Sequence, residues 1–289
     1  MNDRTPAQLS AIAKFRTMHE SGCFVLPNPW DVGTAVYLQH LGYEALATTS
    51  AGFAFAQGLP DTVSAISSDQ MLAHIREVAA ATPLPVNADF QNGYADSPEG
   101  VARNVALCIA TGVAGLSIED ATGQPGAPPS EALYDIGLAT DRIRAARAAI
   151  DASAVPVILT ARCEAWLVRQ PDPLRVAIER LVSFAEAGAD CLYAPGVSQV
   201  EEIAAIVKAV SPKPVNVLVS RPNPALSVSR LAALGVRRVS VGSALASVAW
   251  GAFIRAAESI AATGSFDAFA DAAAYSQLND LFSKRRSRK

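Results

Sequence analysis

Eight short apolar runs, each ending in polar residues, alternate along this chain with longer Ala-rich stretches whose apolar residues recur at helical spacing. The runs cover residues 24–27, 45–49, 86–90, 115–119, 157–162, 191–194, 215–219 and 238–241. Between them, segments such as 69–81, 98–111, 141–152, 173–187, 200–210 and 225–234 read as helices. Gly42, Gly112, Gly188 and Gly235 each stand just before a strand, where a helix needs a left-handed cap. Strands that alternate with helices form a parallel sheet covered by those helices. Eight units in one run with no linker favour closure into a (β/α)8 TIM barrel. The open doubly wound sheet shares the local pattern. It would place Gly-x-Gly-x-x-Gly after the first strand, which here ends Pro27-Asn28-Pro29-Trp30-Asp31. The expectation is one barrel domain over 1–289, with 245–289 as a C-terminal helical extension that subunits could exchange.

Composition supports a large core and restricts the partners. Hydrophobic residues make up 51% and charged residues 18%, so disorder is not expected. The net charge of -3 and the pI of 5.7 give no basic face for nucleic acid. The one basic run, Lys284, Arg285, Arg286, Arg288 and Lys289, reads as a solvated end. Mean hydropathy is positive, +0.23, yet no apolar stretch approaches the ~20 residues of a membrane span. The opening Met1-Asn2-Asp3-Arg4 leads into no apolar signal core. Cys23, Cys108, Cys163 and Cys191 are widely spaced, as reduced thiols would be. A cytoplasmic protein without membrane or nucleic-acid partners is expected.

The ends of strands three, four and five carry the chemistry. Side chains alternate along a strand, so Asn87 shares a face with Asp89, Ser117 with Glu119, and Thr160 with Arg162. The other face of strand four carries Leu116 and Ile118, suited to helix packing. In a barrel of this kind the polar face points into the mouth at the C-terminal strand ends. Two carboxylates buried there without counter-charge would be costly. A divalent cation beside Arg162 removes that cost, and oxygen-only ligands with retained water suit Mg²⁺ or Mn²⁺. One such acid could equally cap a helix or pair with a surface Arg; three groups in register on successive strands favour a site.

Strand two ends in Thr48-Thr49-Ser50-Ala51-Gly52, which reads either as a cradle for an anionic ligand or as an ordinary turn. Cys163 alternates with Arg162 and should face the helices as a structural thiol. His19, His40 and His74 all lie away from strand ends, so no His general base is expected. Trp30 could roof the pocket or simply pack.

Taken together, these residues resemble the isocitrate lyase/phosphoenolpyruvate mutase superfamily. The resemblance rests on Asn28-Pro-Trp-Asp31, Thr48-Thr-Ser-Ala-Gly52 with Gly58-Leu-Pro-Asp61, and Ala88-Asp-Phe-Gln-Asn-Gly-Tyr94. Ser117-Ile-Glu-Asp120, Thr160-Ala-Arg-Cys-Glu164 and Asn216 complete it, from about Phe24 to Gly242. It implies Asp89 as direct Mg²⁺ ligand, with Glu119 holding the metal through water and Asn87 beside them. It further implies that Thr49, Ser50 and Ala51 bind the carboxylate and oxygen of a 2-oxo acid, with Asn216 as a further contact. Arg162 would fix the substrate, and Asp61 would meet metal-bound water or substrate. A homo-oligomer, a tetramer or dimer with exchanged C-terminal helices, is also implied, with 248–262 as the exchanged stretch.

Three departures narrow the chemistry. The first acid of the family's Asp-x-Asp is Asn87 here. The lyase Cys-Gly-His motif after strand four is replaced by residues 121–129, Ala-Thr-Gly-Gln-Pro-Gly-Ala-Pro-Pro. Where the lyases have a Glu after strand six, this chain reads Ala194-Pro195-Gly196. The mutase Lys-x-Asn-Ser lid is also missing. The expected activity is therefore Mg²⁺-dependent C–C cleavage of a small 2-oxo or 2-hydroxy dicarboxylic acid through a pyruvate-like enolate. Phosphonomutase or phosphonopyruvate hydrolase chemistry and a non-catalytic metabolite-binding barrel are the alternatives.

Overall fold

The computed structural model describes residues 4–286, and the side chains of the basic run at 284–289 lie outside that description. All eight expected strands form: β1 Phe24–Leu26, β2 Leu46–Ala47, β3 Val86–Asp89, β4 Gly115–Glu119, β5 Ile158–Arg162, β6 Cys191–Tyr193, β7 Val215–Leu218 and β8 Arg238–Ser240. They pair in parallel in the order β1-β8-β7-β6-β5-β4-β3-β2. The two end strands meet through one backbone bond, from Ala47 N–H to Pro27 O at 3.0 Å. This is the (β/α)8 barrel, with helices after its strands and further helices at the C-terminus.

β2 is shorter than its apolar run because Thr48 and Thr49 already turn into the helix that follows, α3 (Ser50–Ala56). The Thr49 hydroxyl accepts from Gly52 N–H and so caps that helix. Gly52 must lack a side chain, since a Cβ there would stand 2.7 Å from Thr49 Cγ2 and 2.9 Å from Trp30 Cβ. Alternation holds along β4, where Leu116 and Ile118 are buried on the helix side of the barrel.

One helix was not legible beforehand. α1 (Pro6–Met18) starts with a capping box between Thr5 and Gln8 and buries Ile12 and Phe15. Phe15 reaches the start of β4 so closely that a Cβ on Gly115 would stand 2.8 Å from its ring. α1 thereby closes the end of the barrel opposite the strand C-termini. Beyond β8, α10 (Ala244–Thr263) leads through a 3-10 turn at Asp267–Asp271 to α11 (Tyr275–Arg286), whose Phe282 returns to Gly33 on α2 (Val32–His40). Large apolar side chains stand in solvent along this extension, Val248 at 69% and Phe253 at 62% exposure among them. Among the described residues, no helix is long and apolar enough to cross a membrane.

Asn28 joins three strands at the closure. Its amide donates to Thr48 O at 2.9 Å, and its Oδ1 accepts from the backbone of Val241 and Gly242 at 3.1 and 2.9 Å. With the side chain buried, Asn28→Ala strands one carbonyl and two amides. We expect a loss of about 2–4 kcal/mol in chemical denaturation, with Asn28→Asp, which keeps the acceptor, losing less.

Candidate active site

At the C-terminal strand ends, Arg162 stands among three carboxylates. Its Nη1 lies 2.8 Å from Asp89 Oδ1, and its Nη2 lies 3.2 Å from Glu119 Oε2 and 2.9 Å from Glu164 Oε1. Nε also donates to Glu164 Oε1 at 2.9 Å, a forked grip on that acid. The register explains the convergence: Glu119 of β4 pairs with Arg162 of β5, which pairs with Tyr193 of β6. The guanidinium lies 5.1 Å from the centre of the Tyr193 ring. Asp89 reaches in from β3.

The second oxygen of Asp89 is held by Ser50, whose N–H and hydroxyl both donate to Oδ2 at 2.9 Å. The turn after β2 is thus a carboxylate cradle, and the carboxylate it holds is the protein's own. Thr48 Oγ1 fixes the same strand end by accepting from Asp89 N–H at 2.9 Å.

A small cavity of about 140 Å³ opens here, lined by Thr49, Ser50, Ala51, Asp61, Asn87, Asp89, Arg162 and Asn216 among others. Trp30 is absent from that lining; its Cβ packs over Gly52 instead. Asn216 has both ends engaged, donating to Ser240 Oγ and accepting from Arg238 Nε, at 2.9 and 2.8 Å. Asn87 donates to Ala88 O, while its buried Oδ1 has no partner among the described residues. Asp61 stands at the rim with much of its surface in solvent.

The electrostatics are lopsided, because four carboxylates (Asp61, Asp89, Glu119, Glu164) gather about the guanidinium of Arg162, with Arg238 the one other cation lining the cavity among the described residues. Burial pushes the Glu119 carboxyl well above the usual range; Arg162 draws it back, and Glu164, Asp89 and Asp61 raise it further. Glu164 is raised chiefly by burial, against the pull of Arg162. Asp61 is raised by desolvation and then by Asp89. Burial would lower Arg162, but Glu164, Glu119 and Asp89 together hold it well above its ordinary value.

Behind Asp89 the chain makes a strained turn, with positive φ at Gln91 (45°), Gly93 (78°) and Tyr94 (55°). Asn104 holds its carbonyls at Gly93 and Tyr94, and the Arg142 guanidinium, 3.8 Å over the Tyr134 ring, holds those of Asn92 and Ala95. Two buried oxygens of this turn, Gln91 Oε1 and Tyr94 Oη, have no partner among the described residues. Burial raises the Tyr94 hydroxyl far up, and Asp89, Glu119 and Asp61 add to this, so it stays protonated.

Of the residues singled out in the sequence, the structure brings Asp89, Glu119, Arg162 and Ser50 together, with Asp61 at the rim, and adds Glu164 to them. That residue was quoted within its motif and given no role, although its place two residues after Arg162 on the same strand end was the available signal. Asp120 was also passed over. It is buried, pairs with Arg180 at 3.1 Å and accepts from Glu164 N–H at 2.8 Å, so it fixes the turn that presents Glu164. Cys163 is buried away from the cavity, and the buried ring of His19 is pulled down to about 3 by desolvation and by Arg238, so both stand outside the chemistry.

A family model described as phosphoenolpyruvate phosphomutase matches residues 15–261. The chain belongs to that family. It is an enzyme of the phosphoenolpyruvate mutase/isocitrate lyase superfamily, whose members are lyases and mutases. A solved structure from Burkholderia cenocepacia, described as a lyase/mutase, is 45% identical with a TM-score of 0.90, covering 96% of this chain and 98% of that one. The 2-methylisocitrate lyase of Escherichia coli is 35% identical over 169 residues, 57% of this chain and 55% of that protein. Oxaloacetate acetylhydrolase, solved with its product oxalate, is 26% identical with a TM-score of 0.85, covering 97% of this chain and 96% of that one.

Removing the cation should expose the imbalance in this phosphoenolpyruvate mutase relative. Arg162→Met leaves three buried acids unpaired, and we expect a loss of about 3–5 kcal/mol near neutral pH. Glu119 and Glu164, whose carboxyls burial already raises, would then sit further above their unfolded values. The deficit should therefore shrink as pH falls and they take up protons, and grow as pH rises. Denaturation midpoints of parent and variant across pH 5 to 8 (approximate working limits) read this directly.

Proposed function

We propose that this enzyme is a Mg²⁺-dependent lyase that cleaves a carbon–carbon bond of a small 2-oxo or 2-hydroxy dicarboxylic acid. The observation that carries the reading is the meeting of Asp89, Glu119 and Arg162 on the strand ends, where Asp89 and Arg162 line the cavity and Glu119 pairs with Arg162 behind it. Among the described residues, no three His, Cys, Asp or Glu side chains enclose a metal by themselves. The donor set still fits a hard cation that keeps much of its water. Its groups are all oxygen, its carboxylates outnumber its guanidinium, and Asn87, which lines the cavity, keeps an unpartnered Oδ1 among the described residues. Asp89 would hold the ion directly, with Glu119 through water and Asn87 as a neutral neighbour. A bound ion would supply stabilisation of negative charge on the substrate's oxygen.

The chain's own groups account for the rest. In a 2-oxo diacid the electron pair of the breaking bond moves into C2–C3, the carbonyl oxygen takes the charge, CO₂ leaves, and C3 gains a proton. In a 2-hydroxy diacid the hydroxyl proton is lost, C2 becomes a carbonyl as the C2–C3 bond breaks, the electron pair of that bond leaves on C3 beside its carboxylate, and C3 takes a proton. Asp61 at the rim, raised by desolvation and Asp89, is suited to hold that proton. Arg162, locked by three acids, orients the substrate carboxylate; Thr49, Ser50 and Ala51 line the same cavity. The C–C lyases among its relatives support this reading, as does the missing mutase lid.

The exposed apolar row on α10 supports a homo-oligomer, tetramer or dimer, built on that helix. The four free thiols suit a reducing cytoplasm.

Product analysis on oxaloacetate, substituted malates and phosphonopyruvate with Mg²⁺ tests the reaction. Turnover of a 2-oxo or 2-hydroxy diacid is expected, and phosphate release from phosphonopyruvate alone would replace the reading with a phosphonomutase-type one. Glu119→Gln should lower kcat about 10²-fold or more while the fold survives. Mg²⁺ should raise the Tm more at about pH 8 than at about pH 5.5, because protons compete for the same acids, and Asp89→Ala should abolish the shift. For assembly, Phe253→Glu should lower the mass seen by light scattering.

A further inference from the structure

The inner cavity, at about 140 Å³, is smaller than the roughly 300–1,000 Å³ usual for a ligand pocket. Beside it, over the ends of β5, β6 and β7, lies a larger hollow of about 670 Å³. Leu167 and Leu218 line both, so they form the partition between the two spaces. Leu167 is 54% exposed in the turn after β5, a poor place for a leucine unless something apolar covers it. Trp166 and Val219 continue the apolar wall.

The charged members of the wall have one sign. Arg169 and Arg221 line the hollow, and no Asp or Glu does. Both are exposed, and among the described residues neither guanidinium has a hydrogen-bond or ion-pair partner, unlike Arg147, Arg162 and Arg180. Arg169 also holds a left-handed backbone at φ 58°, a conformation that a residue with a side chain seldom adopts. The mouth therefore runs from an acid-rich centre, across two leucines, to a cationic edge.

We propose that this hollow is a second part of the substrate site, which takes an apolar chain on C3 of the acid and pairs the carboxylate at its far end with Arg169 and Arg221. The inference rests on the lyase reading for the head of the substrate and adds its class. The substrate is a 2-oxo or 2-hydroxy acid with an extended aliphatic limb that ends in a carboxylate, larger than oxaloacetate. The leucines would contact the methylene chain, and the arginines would select its charged end.

Uncleavable oxamates test this by calorimetry on the Mg²⁺-loaded enzyme. Oxamate itself probes the head, N-alkyl oxamates add the chain, and N-(carboxyalkyl)oxamates add the chain and its terminal charge. The carboxyalkyl compound is expected to bind at least about tenfold more tightly than oxamate, a gain of about 1.4 kcal/mol. Arg169→Gln with Arg221→Gln should remove most of that gain, while oxamate binds as before. Equal affinity for the three compounds, or a gain that survives both substitutions, would overturn the proposal. If oxamate fails to bind, the reading of the head falls. The effect of the arginine substitutions on the carboxyalkyl compound still decides the hollow.

Discussion

The contacts of one guanidinium with three acids organise the mouth of this barrel. Buried ion pairs seldom stabilise a fold by themselves, because desolvation offsets most of the attraction. Here Asp89, Glu119 and Glu164 all lean on Arg162 and Asp61 stands near, and burial raises the carboxyls of Glu119, Glu164 and Asp61. A core selected for stability alone would have replaced this set with apolar residues. Such a set of ionisable groups inside a well-packed barrel is instead the physical mark of a functional site.

The same carboxylate links that cluster to the backbone. Asp89 gives one oxygen to Arg162 and the other to the N–H and hydroxyl of Ser50. The turn after β2, the end of β3 and the end of β5 therefore share one anion. Anything that draws electron density from Asp89 weakens its hold on Ser50, so the cradle and the acid cluster respond together. The strained turn at Gln91–Tyr94 is buttressed from outside by Asn104 and Arg142.

Periodicity made the strands legible because each buries one face against helices and turns the other inward; the run of Leu116 and Ile118 against Ser117 and Glu119 is readable without coordinates. Strand ends were less so. Thr48 and Thr49 look like strand residues until Gly52 and Trp30 show how tightly α3 must start. α1 escaped because its apolar residues are sparse, and only Ile12 and Phe15 are buried. Single acids at strand ends were visible, but their pairing depends on side-chain reach across several strands. That is why Glu164 and the Asp120–Arg180 pair behind it went unassigned. Asn216 looked free to meet a substrate, and only its neighbours show that both its ends are engaged.

Those neighbours explain the lower half of the barrel. Arg238 is buried with no acid, held by Asn216 Oδ1, Thr160 Oγ1 and His19 Nε2 at 2.8, 3.0 and 3.3 Å. A lone buried cation is ordinarily expensive. Three neutral groups accept one N–H from each of its three nitrogens, and His19 must stay uncharged to be one of them, in keeping with its lowered pKa. A carboxylate at this level would have neutralised Arg238. By leaving its charge uncancelled, the chain sets a fixed positive charge lower in the same barrel interior that carries excess negative charge at its mouth. The polarity of the interior along the barrel axis is therefore a product of residues that never touch the cluster, with Asn216 as the spacer between them.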